Sequence, residues 1–150
     1  VSVTGSIKEA QAFMALTNPD VIIVDINLKN ATNVASTIKS AGGVAHAFEG
    51  DLSKESEVEE LFTKIDKITS LNILVNAISA PHYRYSPDLM PIKDWDKTLS
   101  HDLTSFFLTS RAAAQRMIKA GKGGSIINFS SIVFYTFSSS NHSSILPGKY

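Results

Sequence analysis

The chain has no cysteine, which excludes disulfide bonds, a thiolate metal site and a cysteine nucleophile; a cytoplasmic location is the expectation that accords with this. It also lacks an excess of either charge, since Lys+Arg 14 is balanced by Asp+Glu 14 for a formal net charge of +0. Without a basic field, nucleic acid is not an expected partner. No apolar run approaches the roughly 20 residues of a membrane span, and the first residues lack the basic-then-apolar layout of a secretory signal, so no membrane association is expected. The histidines, His46, His82, His101 and His142, are scattered without ligand spacing, and no metal is expected. Internal repeats and an interdomain linker are absent as well. With 43% hydrophobic side chains in 150 residues, there is material for one ordinary core, and a single domain over residues 1–150 is expected.

What is present is an alternation. Short apolar runs at Val1 to Thr4, Val21 to Asp25, Val44 to Phe48, Leu71 to Asn76 and Ser125 to Phe129 are separated by segments of helical period, the pattern of βαβ units around a parallel sheet. VIIVD and SIINF are nearly continuous in apolar residues, as strands buried on both faces are. Ile7, Ala10 and Met14 form one helical face, and Val34, Ile38 and Ala41 another, stopped by Gly42 and Gly43. Ser53 is the expected cap of a third helix whose stripe is Val58, Leu61, Phe62, Ile65 and Ile68, with Glu55 and Glu57 in its first turn. A fourth, long helix is expected from Asp94 through Trp95, Leu99, Phe106, Ala113 and Met117 to Gly121. Residues Ala77 to Pro91 hold three prolines and read as a loop, and the Ser/Asn/His-rich stretch Ser138 to Ser144 as an exposed tail.

Ligands of open α/β sheets bind outside the carboxyl ends of the strands, and each such end here carries groups that a ligand can use. Thr4-Gly5-Ser6 opens into a helix whose free N–H groups can receive a phosphate. Asp25 lies 20 positions beyond Gly5, the spacing at which dinucleotide folds place an acid against the adenosine ribose hydroxyls. A carboxylate there repels the additional phosphate of NADP and favours NAD. Gly50-Asp51-Leu52, Asn76-Ala77-Ile78 and Ser130-Ser131 end the later strands. Each has a plainer reading: an ordinary one-glycine turn at Gly5, a solvated acid at Asp25, a turn residue at Asp51, and an amide satisfying loop backbone at Asn76.

Taken in order, these segments resemble the short-chain dehydrogenase/reductase family along the whole chain. VTG at Val3 to Gly5 is similar to the opening of the family's glycine-rich motif, and Asp25-Ile26 to its ribose-binding end. GDLS at Gly50 to Ser53 is similar to its adenine-contacting Asp-hydrophobic pair, Asp51-Leu52. VNAIS at Val75 to Ser79 is similar to its Asn-Asn-Ala-Gly strand end, and Trp95 to Ile132 follows its long-helix and fifth-strand pattern. The resemblance implies a Rossmann-like α/β fold, a three-layer αβα, doubly wound parallel sheet in the order 3-2-1-4-5. It also implies NAD as cofactor and a small carbonyl/alcohol substrate; the apolar stripe of the helix at 94–120 is broad enough that its outer side is the expected homo-oligomer contact. By the same resemblance Ser131 orients the substrate oxygen, Tyr150 is the candidate proton donor, and Asp102 occupies the place of the family's relay asparagine.

Four departures accompany the resemblance. Gly5 stands without the motif's other glycines, the next being Gly42. Ile78-Ser79 replaces the glycine of the strand end. Asp102, when ionised, is an acceptor only. Residue 150 is the last given, so the lysine that the family places four positions after its tyrosine is not in this sequence. The expectation is that the family's C-terminal part lies beyond residue 150, or that the molecule does not carry out the reaction. Two other classes stay open on the residues alone: a non-catalytic fragment or degenerate paralogue serving as a binding module, and a flavodoxin- or receiver-like regulatory domain.

Overall fold

A computed structural model describes residues 19–79 and 87–130. The expected strand Val1 to Thr4, the helical face Ile7, Ala10, Met14, and the tail Ser138 to Ser144 lie outside the described residues. The chain falls into two compact units, divided between Leu71 and Asn72.

In the first unit, β1 (Asp20–Asp25) and β2 (Val44–Glu49) pair in parallel, with register running from Asp20 opposite Val44 to Asp25 opposite Glu49. Parallel neighbours need a crossover, and α1 (Leu28–Ser40) supplies it, lying against both strands. Asn27 starts α1 by accepting the Lys29 N–H on its side-chain oxygen at 3.0 Å. The face turned inward is not the expected Val34, Ile38 and Ala41. Ala31 and Ala35, four residues apart, are buried with Ala45 of β2, while Val34 is 48% exposed. Alanines on the contact face let the helix approach the strands closely, leaving the larger residues at its flank. A Cβ on Gly43 would stand 2.8 Å from Ile38 Cγ2, so the chain leaves α1 tight against its own last turn.

The third predicted helix is α2 (Glu55–Ile65), and its stripe of Val58, Leu61, Phe62 and Ile65 is buried as the period requires. Ile68 lies past its end and is 38% exposed. Ser53 does not cap α2; Lys54 holds the cap position without a side-chain bond. The Ser53 hydroxyl is taken by Asp51 instead.

In the second unit, β3 (Ile73–Asn76) and β4 (Ser125–Asn128) are also parallel, Ile73 opposite Ser125 through Asn76 opposite Asn128. Both strands are shorter than their apolar runs. The reading of Ser125 to Phe129 as buried on both faces is corrected: Ile126, Ile127 and Phe129 are 37%, 47% and 63% exposed. Among the described residues α4 packs against this pair and covers one face.

The long helix runs from Ile92 to Ala120, helical throughout but not regular. It begins at Ile92, caps on Pro91, and divides into α3 (Ile92–Leu99), a π-helical turn (Ser100–Thr104) and α4 (Ser105–Ala120). A ladder of side-chain bonds to carbonyls four residues back runs along it: Thr98 donates to Asp94 at 2.8 Å, His101 Nδ1 lies 2.9 Å from the Lys97 carbonyl, Ser105 donates to His101, and Thr109 donates to Ser105 at 2.7 Å. Such back-bonding competes with the main-chain ladder and bends helices. Of the residues named along this helix, Ala113 and Met117 are buried and Trp95 and Leu99 are not. Trp95 is 50% exposed, while Leu108, Ala112, Ala113 and Met117 form the core with Ser105 and Thr109. Gly121, at φ 66°, ends α4 in the left-handed conformation.

Two of the four adjacencies in the expected order, 3-2 and 4-5, are therefore present as β2-β1 and β3-β4, both parallel.

Candidate cofactor site

The first unit presents two acids at the carboxyl ends of adjacent parallel strands. β1 ends at Asp25, and the Gly50 N–H donates to the Asp25 carbonyl at 3.2 Å, so the ladder delivers Asp51 just beyond the partner strand. Asp25 Oδ1 accepts the Asn27 N–H at 2.8 Å and the Asn30 side-chain amide at 3.4 Å. This Asx turn fixes the carboxylate beside the start of α1. Ile26 follows, 62% exposed.

Asp51 is half-buried and more elaborately held. Its Oδ1 accepts both the Ser53 N–H, at 3.1 Å, and the Ser53 hydroxyl, at 2.6 Å. Its Oδ2 lies 3.2 Å from Lys54 Nζ. Glu57 closes the ring, one carboxylate oxygen accepting the Asp51 N–H at 2.7 Å and the other the Lys54 ammonium at 2.8 Å. Burial pushes the Asp51 carboxyl up, but the Ser53 hydroxyl and amide and the Lys54 ammonium outweigh it, so the group titrates below its ordinary value. Glu57 is held down by the Lys54 ammonium and then by the Asp51 amide, and Lys54 is raised by Glu57 and then Asp51. All three are thereby held in their charged forms. Leu52 is half-buried next to Asp51.

The second unit turns its strand-end amide inward. Asn76 is 2% exposed. Its Nδ2 donates to Asn128 Oδ1 at 2.9 Å and to Ser110 Oγ at 3.3 Å, and its Oδ1 accepts from the Thr109 hydroxyl at 2.9 Å. These bonds tie β3, β4 and α4 together. Ala77 is exposed and Ile78 half-buried. Asp102 sits half-buried in the π-helical turn, where the helix backbone departs from regular pairing. Thr4, Gly5, Ser6, Ser131 and Tyr150 lie outside the described residues. Among the described residues no three His, Asp or Glu side chains gather into a metal site, and no helix is long and apolar enough to cross a membrane.

Sequence reasoning missed Glu57 as more than a helix-end charge, and missed Asn27, Asn30, Thr109 and Asn128. The signal for Asn27 was legible, since an Asn two residues beyond a strand-end Asp and just before a helical period is a turn-and-cap pattern.

The sequence matches the short chain dehydrogenase family over residues 5–141. The chain belongs to that family. Glucose 1-dehydrogenase 2 of Bacillus subtilis (strain 168) is 30% identical over 103 residues, covering 68% of this chain and 40% of the relative. An uncharacterized oxidoreductase of Escherichia coli (strain K12), YgfF, is 34% identical over 109 residues, covering 71% and 44%. Among solved structures, a 7 alpha-hydroxysteroid dehydrogenase complexed with NADH and 7-oxo glycochenodeoxycholic acid superposes with a TM-score of 0.70 at 31% identity, over 78% of this chain and 45% of that one. Sorbitol-6-phosphate 2-dehydrogenase from Erwinia amylovora gives 0.75 at 27% identity, over 89% and 54%. The short-chain dehydrogenase fold, a Rossmann-like α/β fold, is thus that of this chain, and the receiver-like alternative is set aside. The chain spans less than half the length of these two curated relatives.

Proposed function

We propose that this short-chain dehydrogenase chain is the dinucleotide-binding domain, residues 1–150, of an oxidoreductase that exchanges a hydride between NAD and a small carbonyl/alcohol substrate. The observation that carries the reading is the pair of acids at the ends of β1 and β2. Among the groups an adenosine offers in a dinucleotide are donors, two ribose hydroxyls and an exocyclic amine, and both carboxylates are acceptors. Asp25 uses only Oδ1 among the described residues. Among the described residues Asp51 Oδ1 is filled by its two Ser53 donors, while Oδ2 faces only Lys54; with two lone-pair sites per carboxylate oxygen, one acceptor position remains there. The donor set of the cofactor fits the acceptor set of the chain.

Asp25 favours NAD over NADP, because a phosphate on the ribose would meet a carboxylate at hydrogen-bond range. A bound nicotinamide supplies the hydride that makes a carbonyl carbon an alcohol carbon. The chain must then orient the substrate oxygen and deliver one proton to it. Ser131 is assigned the first role and Tyr150 the second, with Asp102 in the π-helical turn as an acceptor near the relay. Thr4, Gly5 and Ser6 are assigned the pyrophosphate, and Asn76, Ala77 and Ile78 are likewise assigned to cofactor binding. Exposed Trp95, Leu103, Phe107 and Ile118 along the long helix support its use as a homo-oligomer contact, and the absence of cysteine supports a cytoplasmic location.

Titration with NADH, followed by its fluorescence, tests the reading. Saturable binding is expected, tighter for NADH than for NADPH, and Asp25→Ala should narrow that preference. No saturation at millimolar NADH would overturn it in favour of a non-binding paralogue.

A further inference from the structure

Glu57 lies six residues beyond Asp51 and touches it through two independent routes. One oxygen holds the Asp51 main chain by its N–H at 2.7 Å, and the other holds Lys54, whose ammonium lies 3.2 Å from Asp51 Oδ2. On the far side, Ser53 occupies Oδ1 through both its amide and its hydroxyl. Among the described residues the Asp51 carboxylate is thus held on Oδ1 by the two Ser53 donors and on Oδ2 by Lys54, which leaves one acceptor position on Oδ2. We infer that Glu57 is a positioning residue which, through the Asp51 amide and Lys54, aims the open side of the Asp51 carboxylate at the amino edge of an adenine ring. This deepens the proposed cofactor reading and rests on it.

The physical reason is directional. A carboxylate free to rotate about its last bond accepts from any donor in reach, while a clamped one accepts along one line and so discriminates between donors. Removing Glu57 releases both the Asp51 amide and the Lys54 ammonium. Lys54 is 58% exposed, so once released it has nothing to keep it from occupying the open lone pair of Oδ2 itself.

The test compares NADH with reduced nicotinamide hypoxanthine dinucleotide, in which the exocyclic 6-amino donor is replaced by a carbonyl oxygen, an acceptor, and the edge proton sits on N1 instead. The readout is the ratio of the two dissociation constants, measured by fluorescence titration on the purified wild type, Glu57→Ala, Glu57→Gln and Asp51→Asn. The wild type should prefer NADH. Glu57→Ala should lower that preference about three- to tenfold, the worth of one misaimed charge-assisted hydrogen bond. Glu57→Gln keeps an acceptor for the Asp51 N–H but turns a donor toward Lys54, so it should fall between. Should Glu57→Ala fail to fold, the Gln variant decides. A wild-type ratio in the Glu57 variants, or equal weakening toward both dinucleotides, overturns the positioning role. If Asp51→Asn leaves the ratio unchanged, or the wild type shows no preference, it is the adenine reading of Asp51 that falls, and the two failures are told apart.

Discussion

Asn76 shows how one polar residue can be both a strand end and an internal tie. It is 2% exposed, and its side chain makes bonds to Asn128, Ser110 and Thr109. A buried amide with satisfied partners is worth little net, but one left with an orphaned atom costs the whole desolvation of that atom. Thr109→Val is nearly isosteric and strips the donor from Asn76 Oδ1, with Thr109 itself 2% exposed. The expected loss is about 1–3 kcal/mol in urea unfolding. Ser110→Ala removes a longer contact of 3.3 Å from a half-buried site and should cost less than about 1 kcal/mol. Equal losses from the two would mean that the Thr109–Asn76 bond has no special weight.

At the scale of elements, the entry to α2 is held by charge rather than by a side-chain cap, and this has a sign in pH. Asp51 and Glu57 titrate below their ordinary values in the folded chain, so their contribution is complete above the unfolded carboxylate range and is lost as pH falls through the lowered values. Lys54 is raised, so its contribution is complete below its unfolded value and is lost as pH rises through the folded one. The first turn of α2 should therefore be most protected between about pH 5 and 10. Amide exchange at Asp51, Ser53 and Lys54, relative to the intrinsic rate, should accelerate below about pH 4. Glu57→Gln should flatten that acid limb; an unchanged limb would assign it to other carboxylates.

The same element explains what the sequence made legible. The stripe Val58, Leu61, Phe62, Ile65 was readable because a period of 3.6 residues is local information. Lys54 in place of Ser53 at the cap was not, because the Ser53 hydroxyl could either accept a helix N–H or donate to Asp51, and the choice depended on Asp51 being folded back toward it. The π-helical turn at Ser100–Thr104 was equally hidden: nothing in the apolar pattern marks it, although the series Thr98, His101, Ser105 and Thr109 at spacings of three and four was present to be read. Asp25 and Asp51 were found as strand ends; the pattern that marks Asn27 as the turn partner of Asp25 was present to be read, while the bonds of Glu57 and Lys54 to Asp51 follow from how the backbone turns after β2 and were not.

At the scale of the whole molecule, two parallel strand pairs in one family-level fold differ in how their faces are covered. Parallel strands are ordinarily covered on both sides. On β3 and β4 the register sets Val75 beside Ile127, with Ile73 and Phe129 next along the same face, and these four are 54%, 51%, 47% and 63% exposed for Ile73, Val75, Ile127 and Phe129. The other face carries Asn76 and Asn128, whose side chains bond to each other, Asn76 also bonding to α4. An exposed apolar face of that kind, built from both strands, is a surface that drives association in water. The 150-residue chain expressed by itself should consequently bind a hydrophobic dye and sediment as concentration-dependent oligomers at micromolar levels. Replacing the cross-strand pair by Val75→Lys with Ile127→Glu puts opposite charges directly across the ladder, a pairing worth about 0.2–1 kcal/mol, while removing the apolar centre of the face. That double variant should remain folded by circular dichroism and lose most of the dye signal and self-association. Undiminished oligomers in the variant would place the contact elsewhere, with the exposed Trp95, Phe107 and Ile118 of the long helix as the next surface to substitute.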